Sequence, residues 1–176
     1  MKEEQCPCGR TDAHEHESDK ALDRTGWKAG PWDGEPDYLH WVDEQTDLDC
    51  LIVRANELGH LCGYVGVPKG HSWHGIGYMK IPEYPGSVHG GLTYSDHCQG
   101  RVCHHVEGRP EPMWWLGFDC GHSCDHSPGE AAIFKMAASM RGTGGTYRNV
   151  QYVKDHCRNF CDVVFTAKAD ERKSEL

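Results

Sequence analysis

Long apolar runs are what this sequence most plainly lacks. No window approaches the roughly 18 apolar residues of a membrane span, and the amino terminus, MKEEQCPCGR, has no apolar h-region. Neither a membrane-spanning helix nor a secretory signal is therefore expected. Clustered basic residues are missing as well. Lys and Arg number 18 against 27 Asp and Glu, a net charge of −9. Such a chain repels phosphate backbones, so duplex nucleic acid is not an expected partner. No internal repeat is visible. Apolar residues make up 38% of the chain and mean hydropathy is −0.70, so loops should be plentiful. The 176 residues suffice for one domain with its own core, but not for two comfortable ones.

Cysteine and histidine, in contrast, are abundant, at 10 and 13. Without an export signal the reducing cytosol is the expected compartment. There, thiols among imidazoles point to metal or to burial rather than to a disulfide scaffold.

Residues 1–26 are polar and mixed in charge, and AHEHESDKALDR has no apolar face. They read as a flexible arm, with a small metal knuckle from Cys6, Cys8, His14 and His16 as the alternative. Residues 27–167 read as a single domain. YLHWVD and DCLIVRA are short strands joined by a hairpin over EQTDL, and HLCGYVGVP is a third strand. Its Gly63 and Gly66 mark a bulge or a close approach. PKGHSWHGIGY is a Gly/His-rich loop, VHGGLTYS a tight turn running into a strand, and PMWWLGFDC the most apolar strand. Trp114 and Trp115, being adjacent, should face opposite sides of the sheet. GEAAIFKMAASMRG suggests a short helix.

Beyond it, Val150, Val153, Cys157, Phe160, Cys161 and Val164 form a helical stripe, with Thr146 as its N-cap. Cys157 and Cys161, four apart on that stripe, read as buried small hydrophobes rather than ligands. Residues 168–176 should be a solvated tail. The expected class is α+β: a mainly antiparallel sheet with long Gly/His/Cys-rich loops and a C-terminal amphipathic helix packed on it.

Two constellations carry chemistry. Cys98 and Cys103, then Cys120 and Cys124, offer two thiolate pairs for a tetrahedral structural zinc. His122 belongs to the same set, with His104 and His105 as alternates. The second grouping mixes imidazole with carboxylate: His71, His74, His89, Asp119, His122 and Asp125, all at predicted strand ends or Gly-rich turns. Gly90 and Gly91 beside His89 would let a ligand approach closely. RGTGGT lacks the Lys-Ser/Thr ending of a phosphate-binding loop. Arg141 and Arg148 flank it, placed for an anionic ligand or for solvent.

The blocks VHGGLTYS, WWLGFDCGHSCD and YRNVQYV, with GPWDGEPD and CGYVGVPKGHSWHG before them, resemble a family of small tailed-bacteriophage and prophage proteins. That family carries H-G-G-[LV]-T-[FY], W-W-x-G-F-D-C-x-H-x-x-D and a C-terminal Y-x-x-x-x-Y-V helix. The resemblance spans about residues 30–165 and maps onto His74, His89, Gly90, Gly91, Asp119, Cys120, His122 and Asp125. It implies a phage context, with the cytoplasm of an infected host as the location. It favours the His/Asp grouping as the site and the cysteines as support.

Three functions follow as expectations. The leading one is a ligand-binding, counter-defence protein that sequesters a nucleotide-type signal or engages a host protein. Its ligand would be small and anionic, held by His74, His89, Gly90, Gly91, Asp119, His122 and Asp125. The second is a metal-dependent hydrolase using His89, Asp119, His122 and Asp125. The third is an interaction adaptor stitched together by zinc.

Overall fold

A computed structural model describes residues 16–17, 22–82, 88–104, 113–130 and 145–174. Six antiparallel strands form one sheet: β1 His16–Glu17, β2 Tyr38–Val42, β3 Asp49–Arg54, β4 Leu61–Val67, β5 Tyr94–His97 and β6 Trp114–Asp119. Their spatial order is β1-β2-β3-β4-β6-β5. A long helix, α1, runs from Val150 to Ser174 and packs on the sheet over β4 and β3. No described helix is long and apolar enough to cross a membrane.

The local chemistry explains the elements. In the β2–β3 hairpin, Asp43 Oδ2 accepts from the Thr46 amide at 3.0 Å and its hydroxyl at 2.7 Å, which tightens the turn over EQTDL. Period-two alternation then sorts the strands onto two faces. Leu39, Trp41, Cys50, Ile52, Val65, Leu116 and Phe118 join the larger core, under α1, while Tyr38, Leu51, Val53, Tyr64 and Trp115 make a smaller one on the other side. Every residue of β3 is consequently buried. Trp114 and Trp115 part as their alternation requires, the first against the larger core and the second within the smaller.

The helical stripe lands as its spacing predicts. Val153, Cys157, Phe160, Cys161 and Val164 are all buried in the larger core, with Val150 packed against it. A Cβ on Gly63 would stand 2.5 Å from Phe118 Cζ and 2.8 Å from Val153 Cγ1, so only glycine lets α1 approach β4 this closely. His71 pins the far end of α1. Its Nδ1 accepts from the Trp73 amide at 3.0 Å, which leaves Nε2–H to donate to the Val164 carbonyl at 2.9 Å. His71 is thus a structural clip, not a site residue.

Several boundaries differ from expectation. Part of the supposed arm belongs to the sheet, because β1 pairs with β2 (His16 opposite His40, Glu17 opposite Leu39). Arg24 is anchored too, donating to the Trp32 carbonyl at 2.7 Å and the Glu35 carbonyl at 2.9 Å. Cys6, Cys8, His14 and all but Gly129 and Glu130 of the helix expected over 129–142 lie outside the described residues. Thr146 does not cap α1. Asn149 does, its Oδ1 accepting from the Tyr152 amide at 2.9 Å, while Glu35 Oε1 takes the Val150 amide at 2.9 Å. Helical backbone also continues through Ser174, into the segment expected to be a solvated tail.

Arg54, fully buried, ties these parts together. It donates to Asp37 at 2.7 Å, the Gly59 carbonyl at 3.0 Å, the Tyr147 hydroxyl at 2.9 Å and Glu35 at 3.1 Å. One buried cation therefore joins the hairpin, the segment before β2 and the start of α1.

Candidate metal centre

Three connections converge at one end of the sheet. β5 and β6 run antiparallel with Tyr94 opposite Gly117, so the segment entering β5 lies beside the end of β6. The Thr93 amide donates to the Gly117 carbonyl at 2.9 Å, and the Thr93 hydroxyl to Asp119 Oδ2 at 2.9 Å. This register brings His89 to the turn after β6, which carries His122 and Asp125. A single parallel bridge between Asp125 and Thr146 then draws in the start of α1.

The result is a compact polar cluster. One ligand atom each from His89, His122 and Asp125 lies within 4.8 Å of the others, and the group can hold a metal ion. His89 Nε2 is 2.7 Å from Asp125 Oδ2, and His122 Nδ1 is 3.5 Å from the same oxygen. Asp119 Oδ1 stands 4.0 Å from His122 Nδ1. The outer atoms are held as well. His89 Nδ1 meets the Tyr152 hydroxyl at 3.0 Å, and Arg148 Nε donates to Asp125 Oδ1 at 2.9 Å. Such outer contacts orient ligating imidazoles and carboxylates.

Gly90 is what allows the two imidazoles to meet. It adopts φ 67°, and a Cβ there would fall 2.2 Å from His122 Cε1. Gly91, at φ 88°, has open space where its side chain would be.

Both carboxylates stay ionised. Burial alone would raise Asp125, but hydrogen bonds from Arg148 and His89 outweigh it and hold the carboxyl below its ordinary range. Burial opposes ionisation of Asp119 too, and the Gly121 amide and Thr93 hydroxyl prevail. His60 lies alongside, where a Cβ on Gly121 would be 2.9 Å from its ring. Burial pushes its pKa down despite the neighbouring Asp119 and Asp125, so it stays neutral. His122 Nδ1 is buried and makes no hydrogen bond, a polar atom that a metal ion would satisfy.

The structure thus gathers His89, Gly90, Asp119, His122 and Asp125, and leaves His74 apart. His74 packs at the opposite end of β6, its ring 6.3 Å from that of Trp114 and 6.2 Å from that of His97. The intervening strand, at ~3.3 Å per residue, puts Trp114 roughly 17 Å from Asp119.

The expected cysteine site does not form. Cys98 and Cys103 are joined in a disulfide, so neither offers a thiolate. Cys120 is buried, which pushes its thiol pKa far up and disfavours the ligating form. Cys124 is exposed, and no described group of three or more ligating residues includes either. His104 stacks on His40 at 3.5 Å, beside the His40–Asp49 pair. His105 and Arg141 lie outside the described residues.

Sequence reasoning flagged Arg148 only as a contact for an anion or for solvent, and missed Tyr152 and His60. The final Tyr of the Y-x-x-x-x-Y-V pattern was the available signal for Tyr152; His60 had none. No family model matches the chain, and no curated protein or solved structure matches it either.

Proposed function

We propose that the protein is a small metal-dependent hydrolase whose divalent ion, zinc, is held by His89 Nε2, His122 Nδ1 and Asp125 Oδ2. The carrying observation is that one ligand atom from each of these three residues lies within 4.8 Å of the others, while Tyr152 and Arg148 hold outer atoms of His89 and Asp125. Two imidazoles and one carboxylate suit zinc, and three protein ligands leave a position for water or substrate. The ion would supply Lewis acidity and lower the pKa of a water to about 7.

The protein's own groups divide the remaining work. Tyr152 fixes the His89 ring, and Arg148 fixes Asp125 and brings positive charge. Asp119, with 31% of its side chain exposed, is placed to take a proton from the attacking water. Hydrolysis adds water across one ester bond: its oxygen bonds to the electrophilic centre, the bond to the leaving oxygen breaks, and that oxygen gains a proton.

A second reading is non-catalytic capture of a small anionic or nucleotide-type ligand, as in a counter-defence protein. One observation favours it: Asp125 has only 1% of its side chain exposed and spends both oxygens on His89, His122 and Arg148, as a scaffold group would. The phage setting that the sequence resemblance implies accords with both readings, and would put the protein in the host cytoplasm. An adaptor stitched by zinc on the cysteines has no support, since Cys98 and Cys103 are joined in a disulfide.

Zinc titration followed by incubation with nucleotide and ester substrates separates the two. Hydrolysis predicts a chemically altered product that disappears with a chelator. Capture predicts a raised melting temperature and ligand recovered intact. A protein that takes up no divalent ion at this cluster refutes the hydrolase.

A further inference from the structure

We propose that Arg148 is the anion-recognition group of this centre, and that the ligand it selects is the phosphoryl group of a small molecule. The inference rests on the metal-centre reading and names its substrate class. Only Nε of the guanidinium is committed, donating to Asp125 Oδ1 at 2.9 Å, and neither Nη1 nor Nη2 makes a hydrogen bond to a described residue. The group is nevertheless fixed. Its carbon lies 4.8 Å from the centroid of the Tyr152 ring, and the Tyr152 hydroxyl meets His89 Nδ1 at 3.0 Å. Two uncommitted nitrogens in a rigid planar fork, a quarter exposed beside the metal donors, match the paired oxygens of a phosphoryl group.

Charge narrows the class further. Asp119 and Asp125 neutralise a divalent ion, so Arg148 leaves the centre with one positive charge, suited to a phosphate ester carrying one or two negative charges. The start of α1 adds little, because Glu35 already takes the Val150 amide and Asn149 the Tyr152 amide. A polyanion would meet the chain's net charge of −9, which disfavours nucleic acid and leaves small phosphoesters.

The test uses inorganic phosphate as probe, titrated calorimetrically into the full chain with and without one equivalent of zinc, for the native protein and Arg148→Gln. Gln removes the charge and fork while keeping an amide donor for Asp125. Phosphate should bind the variant at least tenfold more weakly, with and without zinc, a larger loss than any in zinc affinity. Equal phosphate affinity in both proteins, with and without zinc, overturns the assignment. Zinc titration of the native protein alone decides the metal reading, so the two can fail separately. If Arg148→Gln does not fold, Arg148→Lys keeps the charge and loses the fork. It should bind phosphate at least threefold more weakly, and undiminished binding overturns the proposal.

Discussion

His89 Nε2 stands 2.7 Å from Asp125 Oδ2 while Nδ1 of the same ring meets the Tyr152 hydroxyl at 3.0 Å. The imidazole is gripped at both nitrogens, and the two contacts come from segments 36 and 63 residues away. In the metal-free protein Nε2–H donates to the carboxylate and Nδ1 accepts from the phenol. An ion held by Nε2 would leave the ring proton on Nδ1, where it could be donated to the phenol oxygen. Tyr152 serves either state, because a hydroxyl both donates and accepts.

That arrangement sets an order of effects on zinc affinity. His122→Ala removes a ligand and should weaken binding at least a hundredfold. Tyr152→Phe removes only the outer hydrogen bond and should cost about tenfold. Neither should unfold the protein, since His122 sits at a strand end with 37% of its side chain exposed, outside both cores. Competition against a chromophoric chelator measures the first effect, and thermal melts with and without chelator the second. A melt that collapses on chelation would contradict a fold that stands on its cores.

Gly90→Ala should act on the same site through sterics alone. The new methyl would overlap the His122 ring, and a left-handed backbone costs an L residue ~1–2 kcal/mol. Zinc affinity should fall at least tenfold, with a loss of stability of about 1–2 kcal/mol in urea titration. Unchanged zinc binding would mean that His122 is not a ligand.

Acid should act elsewhere, on Asp37. Burial alone would raise this carboxyl, but hydrogen bonds from Arg24 and the Leu22 amide, with the charges of Arg24 and Arg54, hold it below its usual value near 3.8. A depressed folded pKa contributes stability that is complete above the unfolded value and lost as pH falls through the folded one. Asp37→Asn should therefore cost about 3 kcal/mol at pH 7, by leaving buried Arg54 short of a counter-charge. The gap to the native protein should narrow as pH drops below about 4. Urea midpoints across that range decide it; a constant gap would exclude Asp37.

The cysteines predict a labelling pattern. Cys50, Cys120, Cys157 and Cys161 are buried, and burial pushes the Cys62 thiol up to about 12, so Cys124 is the reactive thiol among those described. Iodoacetamide under native conditions should modify Cys124 first, as read by peptide mass spectrometry. Cys124→Ser should leave zinc affinity within twofold; a large loss would restore the thiol as a ligand.

Whatever repeats along the chain is legible from residue order alone. Alternation in YLHWV, DCLIVR and WWLGFD fixed which residues face which core, and the stripe from Val150 to Val164 fixed the buried side of α1. Each pattern is a local record of burial, readable without knowing the neighbour. The class of fold followed, because an amphipathic helix and antiparallel strands have few ways to cover one another.

Which residues meet depends instead on how the folded strands and loops are arranged. His74 and His89 look alike beside their glycines, yet the register of β5 on β6 carries one to the cluster and the other to the opposite end of β6. Cys98 and Cys103 look like a ligand pair until the chain closes them into a disulfide. Arg148 and Tyr152 reach Asp125 and His89 because one bridge at Thr146 sets where α1 begins. Contacts of this kind depend on strand order and register, which residue spacing does not encode.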